Sequence, residues 1–269
     1  MPYSPYCDSQ IPHYERSVSN VFPREGPLMA YVCLLLSGAA LLVNGLATLG
    51  VLPRRDAAVL SLVIGSLQLI LGVTYLGVTY VGVAPPGVTA PGGAAPEPDG
   101  GVQLLLSASG MFLFGLTYVY SGLDFLLGLG SRGLGWFCGM VAGCGLLLAA
   151  AWFPGDPLLA MLWLCWSYLW MLFFFSLALG HGGLSPLIGW SLVLASQATA
   201  TVPALLGITG QWPGDPAVAG GAAACIAALL LLAAGLARRD CRRDARRDGG
   251  TDGQPAVVVP GEPLGTTRR

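Results

Sequence analysis

Three tryptophans, Trp163, Trp166 and Trp170, fall at i, i+3 and i+7 within Leu158 to Leu179, a run without a charged side chain. On a helix that spacing stacks the indoles on one face. An indole offers a flat apolar surface and a single N–H donor. Tryptophans at a membrane surface cluster near span ends, whereas Trp166 and Trp170 sit near the middle of this run. An N–H at that depth finds no acceptor in lipid. The stripe therefore faces either other helices, as packing, or a polar passage.

A second set is Thr117, Tyr120, Ser121 and Asp124, at i, i+3, i+4 and i+7. This is expected to be one polar edge, with Phe112 and Phe125 looking elsewhere. An aspartate in an apolar run is costly unless paired or wetted. Asp124 lies about one turn from the end of its run, within reach of water or Arg132, so structural anchoring and substrate contact both remain open. Asn44, Gln68 and Gln197 are neutral amides that can donate and accept, and such groups also tie helices together.

Reactive chemistry has little raw material. Only two histidines exist, His13 and His181, and the seven cysteines are scattered as small apolar fillers without ligand spacing. No nucleophile and base, carboxylate pair, zinc motif or phosphate loop is visible, so no enzyme, metal or cofactor is expected. Nothing points to nucleic acid.

The elements that must position these residues are membrane spans. The 269 residues are 54% hydrophobic and only 10% charged, with mean hydropathy +0.68. A soluble domain carries about 25% charged residues. The tryptophan run of 22 residues is long enough to cross a hydrocarbon core of about 30 Å as a helix. Six further runs complete an all-α bundle: Leu28–Leu52, Ala57–Val83, Val102–Leu129, Gly133–Phe153, Leu184–Ile208 and Ala217–Ala237. Pro53 to Asp56, Gly130 to Arg132, Pro154 to Pro157 and Gly180 to Gly183 are the short turns. Ala84 to Gly101, rich in Pro and Gly, is expected as an exposed flexible loop.

Residues 1–27 form a polar extension without the order of a signal peptide, an untranslated piece if the start is Met29. Residues 28–208 form a six-span domain, 217–237 an added span, and 238–269 an Arg-rich, disordered cytoplasmic tail. Lysine is absent, and eight of thirteen arginines lie beyond Ala237. With the N-terminus outside and the C-terminus inside, eleven arginines are inside and two outside, the arrangement that positive-charge retention favours. A faint repeat is also present: Asn44-Gly45-Leu46 matches Ser121-Gly122-Leu123, with Gly65 and Gly143 at similar distances beyond. Repeated hairpins of this kind often frame a central path.

Three strings carry a resemblance: VNGLATLG (Val43 to Gly50), LFGLTYVYSGLDFLLGL (Leu113 to Leu129) and WLCWSYLW (Trp163 to Trp170). Together they resemble the AmiS/UreI family of bacterial urea and short-chain amide channels over roughly Met29 to Trp212. The resemblance implies six spans per protomer, a homo-hexameric ring around a lipid-filled centre, and one narrow pore in each protomer. Carried over by position, the pore is lined by Trp166, Leu169 and Trp170, by Leu116 and Tyr120, and by Leu34, with Trp163 near the inner mouth. Urea and short amides are small, planar and uncharged, and a narrow pore without a charged ring disfavours ions.

Three departures qualify the resemblance. A family glutamate of the sixth span falls at Ala195, with Gln197 the nearest substitute. The loop of Ala84 to Gly101 and the Pro154 turn lack histidine, so the pore is expected not to be acid-gated. The seventh span and basic tail are additions. The function implied is passive passage of urea or amides across the bacterial cytoplasmic membrane toward a cytoplasmic urease or amidase. A non-transporting scaffold of the same fold, or an ion-coupled transporter using Asp124, are the alternatives.

Overall fold

The computed structural model describes residues 25–80 and 98–251. Its helices are α1 (Glu25–Thr48), α2 (Arg54–Tyr80), α3 (Pro98–Leu127), α4 (Arg132–Trp152) and α5 (Pro157–Phe173), then α6 (Ser185–Ala195), α7 (Val202–Ile208) and α8 (Pro216–Thr251). Wide π turns extend α5 through Phe174–Ala178 and join α6 to α7 through Ser196–Thr201. Among the described residues, seven helical stretches are long and apolar enough to cross a membrane. Most of the polar loop and the leading segment fall outside the described residues.

Helices that share a bilayer associate through close packing, because apolar surface gains little by leaving lipid. Small residues make that possible here. α2 lies against α3 where Gly65 meets the carbonyl of Gly115, and α1 lies against α6 where Gly45 meets the carbonyl of Gly189. A β-carbon at Gly65 would come within 2.7 Å of that carbonyl oxygen, and one at Gly45 within 3.0 Å. α4 pairs with α5, and α1 sits between α2 and the sixth span. The repeat glycines share this role in part: Gly122 packs on Ala58 and Leu62, whereas Gly143 has open space beside it.

The turn from α3 to α4 runs through left-handed backbone at Gly128, Gly130 and Ser131, with φ of 66°, 94° and 60°. Glycine adopts that conformation freely but serine does not. Asp124 holds Ser131 there, taking hydrogen bonds from its backbone N–H at 2.9 Å and from its hydroxyl. The partner of this buried carboxylate is therefore Ser131, the anchoring role.

α8 stands apart from the other spans. Only 11% of its apolar window is buried, against 33–56% for the others, and it packs on α6 and α5 at the bundle's edge. Trp190 donates its indole N–H to Asp240 at 2.8 Å, fastening the far end of α8 to α6. The helix continues through Thr251, so residues 238–251, expected as disordered tail, are helical. The Ala/Arg/Asp sequence ARRDCRRDARRD favours this, and Arg243 lies 3.9 Å from Asp240 one turn before it.

Candidate functional site

The aromatic stripe of α5 is wholly internal. Trp163, Trp166 and Trp170 are 4%, 3% and 6% exposed. They surround Phe114 of α3, whose ring centroid lies 6.0, 5.1 and 4.7 Å from theirs. Trp163 and Trp170 are nearly parallel at 23°, while Trp166 stands edge-on to Phe114 at 85°. The indole N–H of Trp166 donates to the Thr199 hydroxyl at 3.1 Å, and that hydroxyl donates to the Ala195 carbonyl at 2.7 Å. The π turn makes this possible, since its extra residue swings Thr199 inward. Wide turns of this kind recur at functional sites.

Two chambers border this cluster and a third adjoins the second of them. The first, about 110 Å³, is lined by Tyr31, Leu34, Ser37, Gln68, Trp152, Asp156, Trp163 and Trp212, among others. The second, about 60 Å³, is lined by Asn44, Thr117, Tyr118, Ser121, Trp166, Leu169 and Trp170. The third, about 120 Å³, includes Asn44, Thr48, Arg54, Thr117, Ser121 and Ser185. Phe114 and Trp166 belong to the walls of both the first and the second. The second and third share Asn44, Thr48, Thr117, Ser121, Phe125 and Phe173. A single water needs only about 10–15 Å³ on this measure, so each chamber has room for a small polar solute.

The mouth of the first chamber is built around Asp156. One carboxylate oxygen caps α5 by accepting the Leu159 N–H at 2.9 Å. The other accepts the indole N–H of Trp212 at 2.9 Å, and Trp212 packs on Tyr31 at 5.4 Å. Sequence reasoning passed over Asp156 and Trp212 because both sit in short turns, although the Asp-Pro pair opening an apolar run was a cap signal. It also missed Phe114 and Tyr118, which share a face with Thr117, Ser121 and Phe125 at i, i+3, i+4, i+7 and i+11. Tyr118 points its hydroxyl at the Ser37 carbonyl, 3.3 Å away.

Several expected positions land elsewhere. Leu116 is 45% exposed and turned out of the bundle. Two residues along a helix is a rotation of about 200°, so Leu116 must oppose both Phe114 and Tyr118. Tyr120 packs on Phe137 of α4 at 6.0 Å and lines none of the three chambers. Phe125, expected to look away, lines two of them. Gln197 is exposed and its side-chain amide donates to the neighbouring Ser196 hydroxyl at 3.3 Å, so it does not stand in for a carboxylate at Ala195. Trp163 lies at the Asp156 end, where α1 begins. Leu34, Leu169, Trp166, Trp170 and Asn44 line the chambers, and Asn44 and Ser121, equivalent in the repeat, line the same two.

Comparison with known proteins agrees with this architecture. The family model described as AmiS/UreI family transporter matches residues 29–211. The chain is 41% identical to AmiS2 of Rhodococcus erythropolis, assigned as a transporter protein, over 76% of this chain and 91% of that one. It is 32% identical to an assigned amidate substrates transporter of Mycolicibacterium smegmatis, over 78% and 91%. The crystal structure of the Helicobacter pylori urea channel superposes with a TM-score of 0.54 at 24% identity, covering 68% of this chain and 99% of that one. Its closed state determined by electron cryomicroscopy gives 0.56 at 23%, with the same coverage. At such identities the two structures establish the shared fold.

Proposed function

The chain belongs to the AmiS/UreI family of transporters, and from that premise we propose that it is a passive channel for urea or short aliphatic amides in the bacterial cytoplasmic membrane. The observation that carries the reading is the row of chambers divided by Phe114 among three indoles. A planar uncharged amide slides flat between such rings, whereas an ion finds nothing to replace its hydration shell. The M. smegmatis relative's name refers to amidate substrates and the H. pylori neighbour is a urea channel, which supports this solute class. Leu34, Trp163, Trp166, Leu169 and Trp170 line the route, joined by Phe114, Tyr118 and Asn44.

Residues 28–208 form the channel domain, and 217–237 an added span that carries the C-terminus inside while the N-terminus stays outside. The protomers form a hexamer, each with its own route, and a cytoplasmic urease or amidase maintains the gradient. Asp124 has both carboxylate oxygens committed to Ser131, which speaks against ion coupling through it. No histidine lies in residues 84–101 or in the Pro154 turn, which supports a route open at neutral pH.

The test is stopped-flow uptake of urea and acetamide into proteoliposomes at acid and neutral pH, with and without a protonophore. The channel reading expects rapid uptake at neutral pH without any ion gradient and no effect of the protonophore. Uptake that requires an imposed proton gradient would mean a coupled transporter, steep opening only in acid would mean a gate, and none at all would mean a scaffold.

A further inference from the structure

Two side-chain amides share an arrangement that helix packing alone does not require. Gln68 of α2 is fully buried in the wall of the first chamber. Its NH₂ group donates to the Cys33 carbonyl and to the Ser37 hydroxyl of α1, each at 2.8 Å. Asn44 of α1 lines the second and third chambers, and its NH₂ group donates to the Ala40 carbonyl and to the Ser61 hydroxyl of α2, again each at 2.8 Å.

An amide NH₂ carries two donors, and in both residues both are used. Neither group can be flipped, because its carbonyl oxygen would then face another carbonyl. Each oxygen is thus fixed as an acceptor, on residues that line the chambers at the α1–α2 seam. Among the described residues, the Gln68 Oε1 takes no hydrogen bond although it is buried. Buried acceptors are nearly always satisfied, and one left open beside a cavity calls for a donor. The Tyr118 hydroxyl and the Trp166 indole N–H already donate within the protein, to the Ser37 carbonyl and the Thr199 hydroxyl.

We infer that Gln68, with Asn44 further along the same seam, is an acceptor station for the N–H groups of the permeating solute, and so selects amides and urea over molecules of like shape without N–H donors. This deepens the proposed channel function and rests on it. Oε1 is buried in this conformation, so contact with a solute requires a local shift of the chamber wall around Gln68.

The test compares acetamide uptake with osmotic water flux in the same proteoliposomes. Gln68→Met keeps the side chain's length and removes the acceptor, and its acetamide-to-water ratio should fall about fivefold, the order expected for one lost hydrogen bond. Gln68→Asn retains an amide but withdraws it by one methylene, and it should show the same fall. It serves as the readout where the Met variant is not recovered folded. Asp240→Ala cuts a helix tie to Trp190 away from the chambers and should preserve the ratio. An unchanged ratio in the folded Gln68 variants, or an equal fall in Asp240→Ala, would overturn the inference while leaving the channel intact. Absence of amide flux in the unaltered protein would instead overturn the channel reading beneath it.

Discussion

Replacing Phe114 by alanine perturbs the route between the first and second chambers. The ring is 8% exposed and touches four others, Tyr118 and the three tryptophans, at centroid distances of 4.7 to 6.1 Å. In a well-packed core the change costs about 3–5 kcal/mol. Here the ring already borders chambers of about 110 and 60 Å³, so part of that cavity exists beforehand and a cost near the lower figure, about 3 kcal/mol, is expected. Losing the ring also joins the two chambers. A closed apolar pocket resists an added methylene by about 1–3 kcal/mol, roughly 10- to 200-fold. The acetamide-over-butyramide permeability ratio should accordingly fall at least about tenfold, with acetamide itself undiminished. Stopped-flow swelling of proteoliposomes reads both solutes, and size exclusion confirms folding. A folded variant with an unchanged ratio, or one that loses both solutes in parallel, would refute the idea that Phe114 divides the route.

Other expectations concern the supports of the route. Trp166→Phe and Thr199→Val should each destabilise, with a coupling of about 0.5–1.5 kcal/mol in a double-mutant cycle of thermal stability in detergent, since they share one hydrogen bond. Asp156→Ala should lower stability by about 1–2 kcal/mol, because it removes the cap of α5 and frees Trp212, and a shift in tryptophan emission should accompany it. Asp240→Ala should expose the α8 arginines to trypsin earlier while leaving amide uptake unchanged, because α8 lies at the bundle's edge.

The spans were legible because length and hydropathy in a membrane leave few alternatives, and the turns because Pro and Gly mark them. The α5 stripe was legible for the same reason as any helical face: its spacing survives folding unchanged. Faces were harder elsewhere. Leu116 and Tyr120 came from position-by-position resemblance, yet the spacing of Phe114, Thr117, Tyr118, Ser121 and Phe125 already defined the inward side of α3. Gln197 failed for a different reason. It sits in a π turn, where one extra residue rotates everything beyond it and hands the inward place to Thr199. A regular helical period cannot anticipate that turn. Nor can it anticipate that Asp156, in a short connection, meets Trp212 from 56 residues away.

The central claim is that solutes pass through the chambers rather than along the outside of the bundle. Ser121 lines two chambers and Leu116, on the same helix, faces outward. Urea and acetamide uptake should therefore be measured for Ser121→Trp, which fills existing space, beside Leu116→Trp, which adds bulk outside. Ser121→Trp should abolish uptake in a folded protein, and Leu116→Trp should preserve it. Uptake retained in folded Ser121→Trp, or lost only in Leu116→Trp, would contradict that claim.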